Sequence, residues 1–149
     1  MKFFLRVMAP AHRDDLVESL EAEYLRRLAK RVHAEVVRVR PGGGAGAEAA
    51  ALRKAAPRGG LHVALDERGD ALTSVELARY IGQARDRSVP GVTFWIGGAD
   101  GLDPALLREA DRRLSLGRLT LPHRLARLVL VEQLYRAMTI LHGDPYHRS

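Results

Sequence analysis

The residues best equipped for chemistry gather at the carboxyl end of the chain. The tail His142-Gly-Asp-Pro-Tyr-His-Arg-Ser149 places a phenol, an imidazole and a guanidinium side by side at Tyr146, His147 and Arg148. Such groups can donate hydrogen bonds, stack on a nucleobase and neutralise phosphate. Upstream, Glu132 and Arg136 stand four apart, in the favourable order for an ion pair on a helix. That is either a plain surface bridge or, in so apolar a segment, a half-buried pair beside a site. His123 follows Pro122, where it either caps the last helix or adjoins a site. His142, Asp144 and His147 could offer three metal ligands, but their spacing fits no zinc motif, so no metal is expected. The absence of cysteine excludes disulfides, thiolate metal sites and thiol nucleophiles.

Two glycine-containing loops could hold a ligand. Gly97-Gly-Ala-Asp-Gly101 directly follows the apolar run Val92-Thr-Phe-Trp-Ile96, and Gly117-Arg-Leu-Thr-Leu-Pro122 follows Leu114 to Leu116. In open α/β sheets ligands bind at the carboxyl ends of strands, so both loops are candidate cofactor contacts. Neither has the dinucleotide spacing nor a phosphate-binding lysine. Pro41 to Gly46 reads as a mobile linker.

These groups need a scaffold, and the chain predicts one. Lys2 to Val7 reads as a strand, and a helix from Asp14 or Asp15 to Lys30 follows from apolar positions at helical spacing. Val32 to Val39 is a second strand, and Ala47 to Ala56 an alanine-rich helix. Leu61 to Leu65 is an apolar strand ending in the loop Asp66 to Asp70. Thr73 and Glu76 form a capping box for a helix reaching about Arg87. Val92 to Ile96 is the next strand, giving a β-α-β crossover and hence a parallel sheet. Asp103 and Pro104 open a helix to about Arg113, and Leu114 to Leu116 is the last strand. The final helix, Arg124 to Leu141, is apolar most of the way round, so it faces the sheet on one side and, most simply, a second copy of itself on another. Gly143 should stop it.

The 149 residues suit one domain, 1–149, of α/β class. No run approaches a membrane span, and Arg6 breaks the opening apolar stretch before signal-peptide length, so a cytoplasmic protein is expected. The net charge of +6 is uneven. Residues 112–149 hold seven arginines against two acids, whereas residues 1–111 hold seventeen Lys+Arg against sixteen acids. A basic carboxyl end points to a polyanion, most plausibly nucleic acid.

Several blocks together resemble a known family: Glu23-Tyr-Leu-Arg-Arg27, Ala64-Leu-Asp66, Phe94-Trp-Ile-Gly-Gly-Ala-Asp-Gly101, Leu114-Ser-Leu-Gly-Arg-Leu-Thr-Leu-Pro-His123, Val131-Glu-Gln-Leu-Tyr-Arg136 and Pro145-Tyr-His-Arg148. They are similar to the ribosomal RNA large-subunit methyltransferases H, small SPOUT proteins that methylate N3 of a pseudouridine in 23S rRNA. The resemblance implies a parallel-sheet α/β-knot fold with a carboxyl-terminal trefoil knot, a homodimer, and S-adenosylmethionine as methyl donor. By match, the donor contacts are Leu65, Gly97 and Gly98, and the segment Leu116, Gly117, Arg118, Leu119, Thr120, Leu121 and Pro122. The residues expected to act on the nucleotide are His123, Glu132, Arg136, Tyr146, His147 and Arg148, with the tail of one subunit reaching the donor of the other. The expected substrate is 23S rRNA in the assembled 70S ribosome. The alternatives are a non-catalytic ribosome assembly factor and a knotted tRNA methyltransferase.

Overall fold

The structure, a computed structural model, describes residues 1–10 and 15–148. Five parallel strands, β1 (Lys2–Met8), β2 (His33–Val39), β3 (Leu61–Ala71), β4 (Gly91–Ile96) and β5 (Arg112–Ser115), form one sheet in the order β2-β1-β4-β3-β5. Four helices connect them, α1 (Leu16–Ala29), α2 (Ala45–Ala55), α3 (Ser74–Asp86) and α4 (Pro104–Glu109), and α5 (His123–His142) follows β5. Central strand β4 is buried along its whole length, as its continuous apolar run requires of a parallel strand covered on both faces.

Alternation along the strands separates two cores. Phe3, Leu5 and Val7 of β1 and Val92, Phe94 and Ile96 of β4 join Leu28, Ile81, Leu130 and Leu134 from α1, α3 and α5 on one face. Trp95 points the other way and meets Ala49 and Leu52 of α2 and Leu106 of α4. The molecule is thus three layers, with α5 packed against both α1 and α3.

Helix ends follow the capping chemistry. The Asp15 side chain accepts from the Glu18 amide at 3.1 Å. Thr73 and Glu76 cap each other reciprocally at 3.1 and 2.7 Å, and Asp103 accepts from the Ala105 amide at 2.7 Å. Gly143 closes α5 with φ 73°. The alternative helix start at Asp14 lies outside the described residues.

Three expectations need correction. The chain does not leave the sheet at Leu65: β3 continues to Ala71, and Leu65 and Asp70 both pair with Leu114 across a bulge. The expected loop Asp66 to Asp70 is therefore largely an excursion within a strand, which polarity alone cannot distinguish from a turn. Helix α4 ends at Glu109, not near Arg113, because Arg112 and Arg113 pair with β3 as part of β5. The glycine run is more than a mobile linker, since α2 begins at Ala45 within it and the Gly42 amide donates to Glu48 at 3.2 Å.

The basic carboxyl end is also less basic in space than in sequence. Arg124 pairs with Asp15 at 2.6 Å, and buried Arg127 pairs with Glu21 and, at 3.3 Å, with Glu18. Arg112 meets Asp70, Arg113 meets Asp66 and Arg136 meets Glu132. Of the seven arginines only Arg118 and Arg148, both exposed, have no carboxylate partner among the described residues. A linear charge count does not register ion pairs that tertiary folding makes with the first half of the chain.

Candidate active site

The bulge of β3 and the carboxyl ends of β4 and β5 open into a cleft of about 750 Å³. Its floor is built by two tight turns. After β4, the Gly101 amide donates to the Gly98 carbonyl at 3.0 Å, closing the first turn. A Cβ on Gly97 would lie 2.6 Å from the Gly101 carbonyl carbon and 2.8 Å from its oxygen, so only glycine fits there. After β5, Gly117 has φ +131°. The buried Ser115 hydroxyl donates to the Gly117 carbonyl at 2.8 Å and accepts from its amide at 3.2 Å, folding the loop over the cleft.

Of the expected cofactor contacts, Leu65, Gly97 and Gly98 line this cleft, as do Leu116, Gly117, Leu119 and Leu121. Arg118, Thr120 and Pro122 are exposed and do not line it. Leu119, 82% exposed, overhangs the opening as an apolar flap with little beneath it. Further lining residues were not among the expected contacts: Asp66 and Glu67 enter through the β3 bulge, and Arg108 and Arg113 through α4 and β5. Ser115 was also missed, although Ser-x-Gly after a strand is a turn signal that identifies it.

His123, the first residue of α5, lines this cleft and also a smaller one of about 400 Å³ beside it. The two share Gly98 to Gly101 as a common wall.

The other expected catalytic residues sit elsewhere. Glu132 accepts from Arg136 Nε at 3.0 Å and Nη2 at 2.6 Å, from Gln133 Nε2 at 2.7 Å and from the Tyr146 hydroxyl at 2.9 Å. The pair is half-buried, and the bond to Glu132 raises the Arg136 pKa further. Tyr146 lies with its ring edge against Tyr135 at 4.7 Å and under the Arg136 guanidinium at 4.9 Å. Burial, then its contacts with Tyr24 and Glu132, hold its phenol well above the usual tyrosine range, so the hydroxyl is a donor and not a base. Asp144 pairs with Arg31 and thereby straps the tail to α1. His147 Nδ1 is buried without a hydrogen-bond partner among the described residues, and Arg148 is exposed. Among the described residues no three metal-ligating side chains converge.

His123 and Glu132 are nine residues apart on α5, about two and a half turns and roughly 14 Å of rise, which puts them on opposite faces. Within one chain His123 and the Glu132 cluster therefore face away from each other.

The family profile described as predicted SPOUT methyltransferase matches residues 1–147. The ribosomal RNA large subunit methyltransferase H of Anaeromyxobacter sp. strain K is 48% identical over 153 aligned residues, covering 97% of this chain and 99% of that protein. The protein of the same name from Dinoroseobacter shibae is 54% identical over 117 residues, 77% of this chain and 75% of its own. A crystal structure of a methylase family protein from Neisseria gonorrhoeae superposes with TM-score 0.59 at 14% identity, covering 99% of this chain and 85% of that one. A probable methyltransferase from Bordetella pertussis Tohama I gives 0.58 at 18%, covering 92% and 93%. At such identities the two structures show a shared fold alone. The profile and the sequence relatives together establish that this chain belongs to the SPOUT methyltransferase family, among the ribosomal RNA large subunit methyltransferases H.

Proposed function

We propose that the chain is an S-adenosylmethionine-dependent methyltransferase that acts on N3 of a pseudouridine in 23S rRNA, as a homodimer, on assembled 70S ribosomes in the cytoplasm. The observation that carries the reading is the glycine-floored cleft at the strand ends, in a chain whose relatives are named for large-subunit rRNA methylation. A volume of about 750 Å³ suits a nucleoside-sized ligand. Leu65, Leu116, Leu119 and Leu121 offer an apolar slot for adenine, and the small residues Gly97, Gly98 and Gly117 let the backbone come close to it. When bound, the donor supplies an electrophilic methyl group on a sulfonium.

The remaining work falls to the chain. The imide proton of the acceptor must leave, and His123, at the wall shared by both clefts, is the group that takes it. Glu132 is a poor candidate, because its oxygens already accept four hydrogen bonds. It instead fixes Arg136 and Tyr146. His147 and Arg148 hold the nucleotide, with Arg148 on phosphate or on the charge that develops on the ring.

Since His123 and the Glu132 cluster face opposite ways within one chain, the site is composite, with the tail of one subunit serving the cleft of the other. Support for pairing comes from Leu16 (88% exposed) and Leu20 (47%) on α1 and Leu125 (39%) on α5, three apolar side chains left open on helices that pack together. We assign the whole chain, 1–149, to one domain with its carboxyl-terminal part threaded as a trefoil knot, on the strength of the family resemblance. No helix among the described residues is long and apolar enough to cross a membrane.

Mass mapping of rRNA from a deletion strain tests the reading. Loss of a single methyl on one 23S pseudouridine is expected. An unchanged 23S pattern, or a lost methyl on tRNA, would refute it.

A further inference from the structure

Glu23-Tyr-Leu-Arg-Arg27 has no part in the mechanism above, yet it forms one edge of an unusual surface. Three tyrosines from three segments touch: Tyr24 and Tyr135 have ring centroids 6.1 Å apart, Tyr135 and Tyr146 4.7 Å, and the hydroxyls of Tyr24 and Tyr146 are 3.4 Å apart. Each ring carries its own guanidinium. Arg27 lies over Tyr24 at 5.1 Å, Arg31 over Tyr135 at 5.7 Å and Arg136 over Tyr146 at 4.9 Å.

Each guanidinium is held over its ring by a carboxylate partner as well. Arg27 donates to Glu23 at 2.9 Å, and Glu23 also takes a bidentate grip from Arg26. Hydrogen bonds from Arg26 and then Arg27 lower the Glu23 pKa to about 2, so this clasp stays ionised at any physiological pH. Arg31 is fixed by Asp144 and Arg136 by Glu132. The Arg27 side chain keeps 40% of its surface open and Arg26 59%, and Lys30 is exposed beside them. Five cations, Arg26, Arg27, Lys30, Arg31 and Arg136, meet three carboxylates, Glu23, Asp144 and Glu132, here. Elsewhere every arginine of the carboxyl end except Arg118 and Arg148 is matched by an acid, and on this surface cations in excess of acids coincide with aromatic rings.

We propose that this tyrosine–arginine cluster is the platform on which unpaired nucleotides of the RNA substrate stack, with Arg27 as its principal contact. The proposal rests on the reading of the chain as an rRNA methyltransferase and names a further part of how the substrate is held. A guanidinium with one face on a ring presents its other face to an unstacked base, while its edge meets phosphate. The nucleotides in question flank the target, because the target itself must enter the cleft of the opposite subunit. An A-form duplex would offer no open base faces to such a surface, so the partner is a loop or single strand.

The test compares wild type with Arg27→Gln, Arg27→Lys and a control, Arg53→Gln, whose exposed guanidinium bonds Glu109 far from any tyrosine. Methyl transfer to 70S ribosomes is measured against ribosome and salt concentration, together with binding to a fluorescent single-stranded RNA at low salt. Stacking on one base predicts about a tenfold rise in KM for ribosomes with Arg27→Gln, with kcat and S-adenosylmethionine affinity unchanged. The slope of log affinity on log salt should fall by about 1 with Arg27→Gln. Arg27→Lys should keep the wild-type salt slope and still bind weakly, because an ammonium has no plane to stack on. Wild-type KM in Arg27→Gln would overturn the proposal, as would full rescue by lysine or an effect confined to dimer dissociation in sedimentation. Wild-type protein inactive on ribosomes would instead refute the proposed function, and the single-stranded RNA measurement would still decide the platform.

Discussion

Gly97 and Gly98 are neighbours in the same turn, yet the structure demands opposite outcomes when each receives a side chain. A Cβ on Gly97 would stand 2.6 Å from the Gly101 carbonyl carbon and 3.0 Å from the Leu102 nitrogen. Carbon contacts settle near 3.5–4.0 Å, so the overlap is about 1 Å, and it falls on backbone that cannot rotate away. The turn must open, at an overpacking cost of roughly 1–3 kcal/mol plus about 1 kcal/mol for the lost Gly101 to Gly98 hydrogen bond. Gly97→Ala should therefore lose about 2–4 kcal/mol, a fall in Tm of roughly 5–15 °C for a chain of this length. At Gly98 the added atom meets Met8 at 3.6 and 3.8 Å, ordinary contact. Gly98→Val should fold with a Tm closer to wild type than that of Gly97→Ala, yet lose S-adenosylmethionine binding, because Gly98 lines the cleft proposed for the donor. Thermal unfolding and calorimetric titration with the donor read the two effects separately. The reasoning fails if Gly97→Ala unfolds like wild type, or if a well-folded Gly98→Val binds the donor with unaltered affinity.

Arg127→Leu strands buried Glu18 and Glu21 with Arg38 as their remaining described arginine. It should cost about 3–5 kcal/mol in denaturant unfolding, where a loss under about 1 kcal/mol would contradict the structure. Arg26→Ala, on an exposed pair, should leave the unfolding midpoint unchanged. Tyr146→Phe removes the donor to Glu132 and should lower kcat by about ten- to a hundredfold with donor affinity intact; unchanged kcat counts against a role for the phenol. Because the Tyr146 pKa is raised, its proton stays on throughout the neutral range. The pH–rate profile of the wild type should accordingly show no limb attributable to tyrosine below pH about 10, and the phenylalanine variant should have the same profile shape.

Features set by neighbouring residues were readable from the chain. The Thr73 and Glu76 capping box, the Asp103-Pro104 helix start and the stop at Gly143 all depend on atoms a few positions apart. The apolar run of β4 announced a strand covered on both faces, and the rule that ligands gather at carboxyl ends of strands led to the cleft from Gly97 and Gly117. Features set by distant partners were not readable. The β3 bulge arises from pairing with Leu114, and β5 claims Arg112 and Arg113, which helical spacing would have given to α4. The excess of arginine after residue 111 pointed to a polyanion partner, but which of those arginines are paired was not readable, because Asp15, Glu18 and Glu21, which face Arg124 and Arg127, lie about a hundred residues away in the chain. The separation of His123 from Glu132 was available all along, since nine residues of helix place two side chains on opposite faces.

The composite site can be tested by mixing two inactive proteins. One carries Gly98→Val, which closes its cleft but keeps its tail, and the other carries Arg148→Ala, which spoils its tail but keeps its cleft. Each alone should be nearly inert toward 70S ribosomes. After subunit exchange, half of the dimers carry one intact site, so methyl transfer should recover to about a quarter of the wild-type rate. Recovery to that level is what the account predicts. No recovery in a mixture proven to contain heterodimers, or full activity of either variant alone, would contradict it.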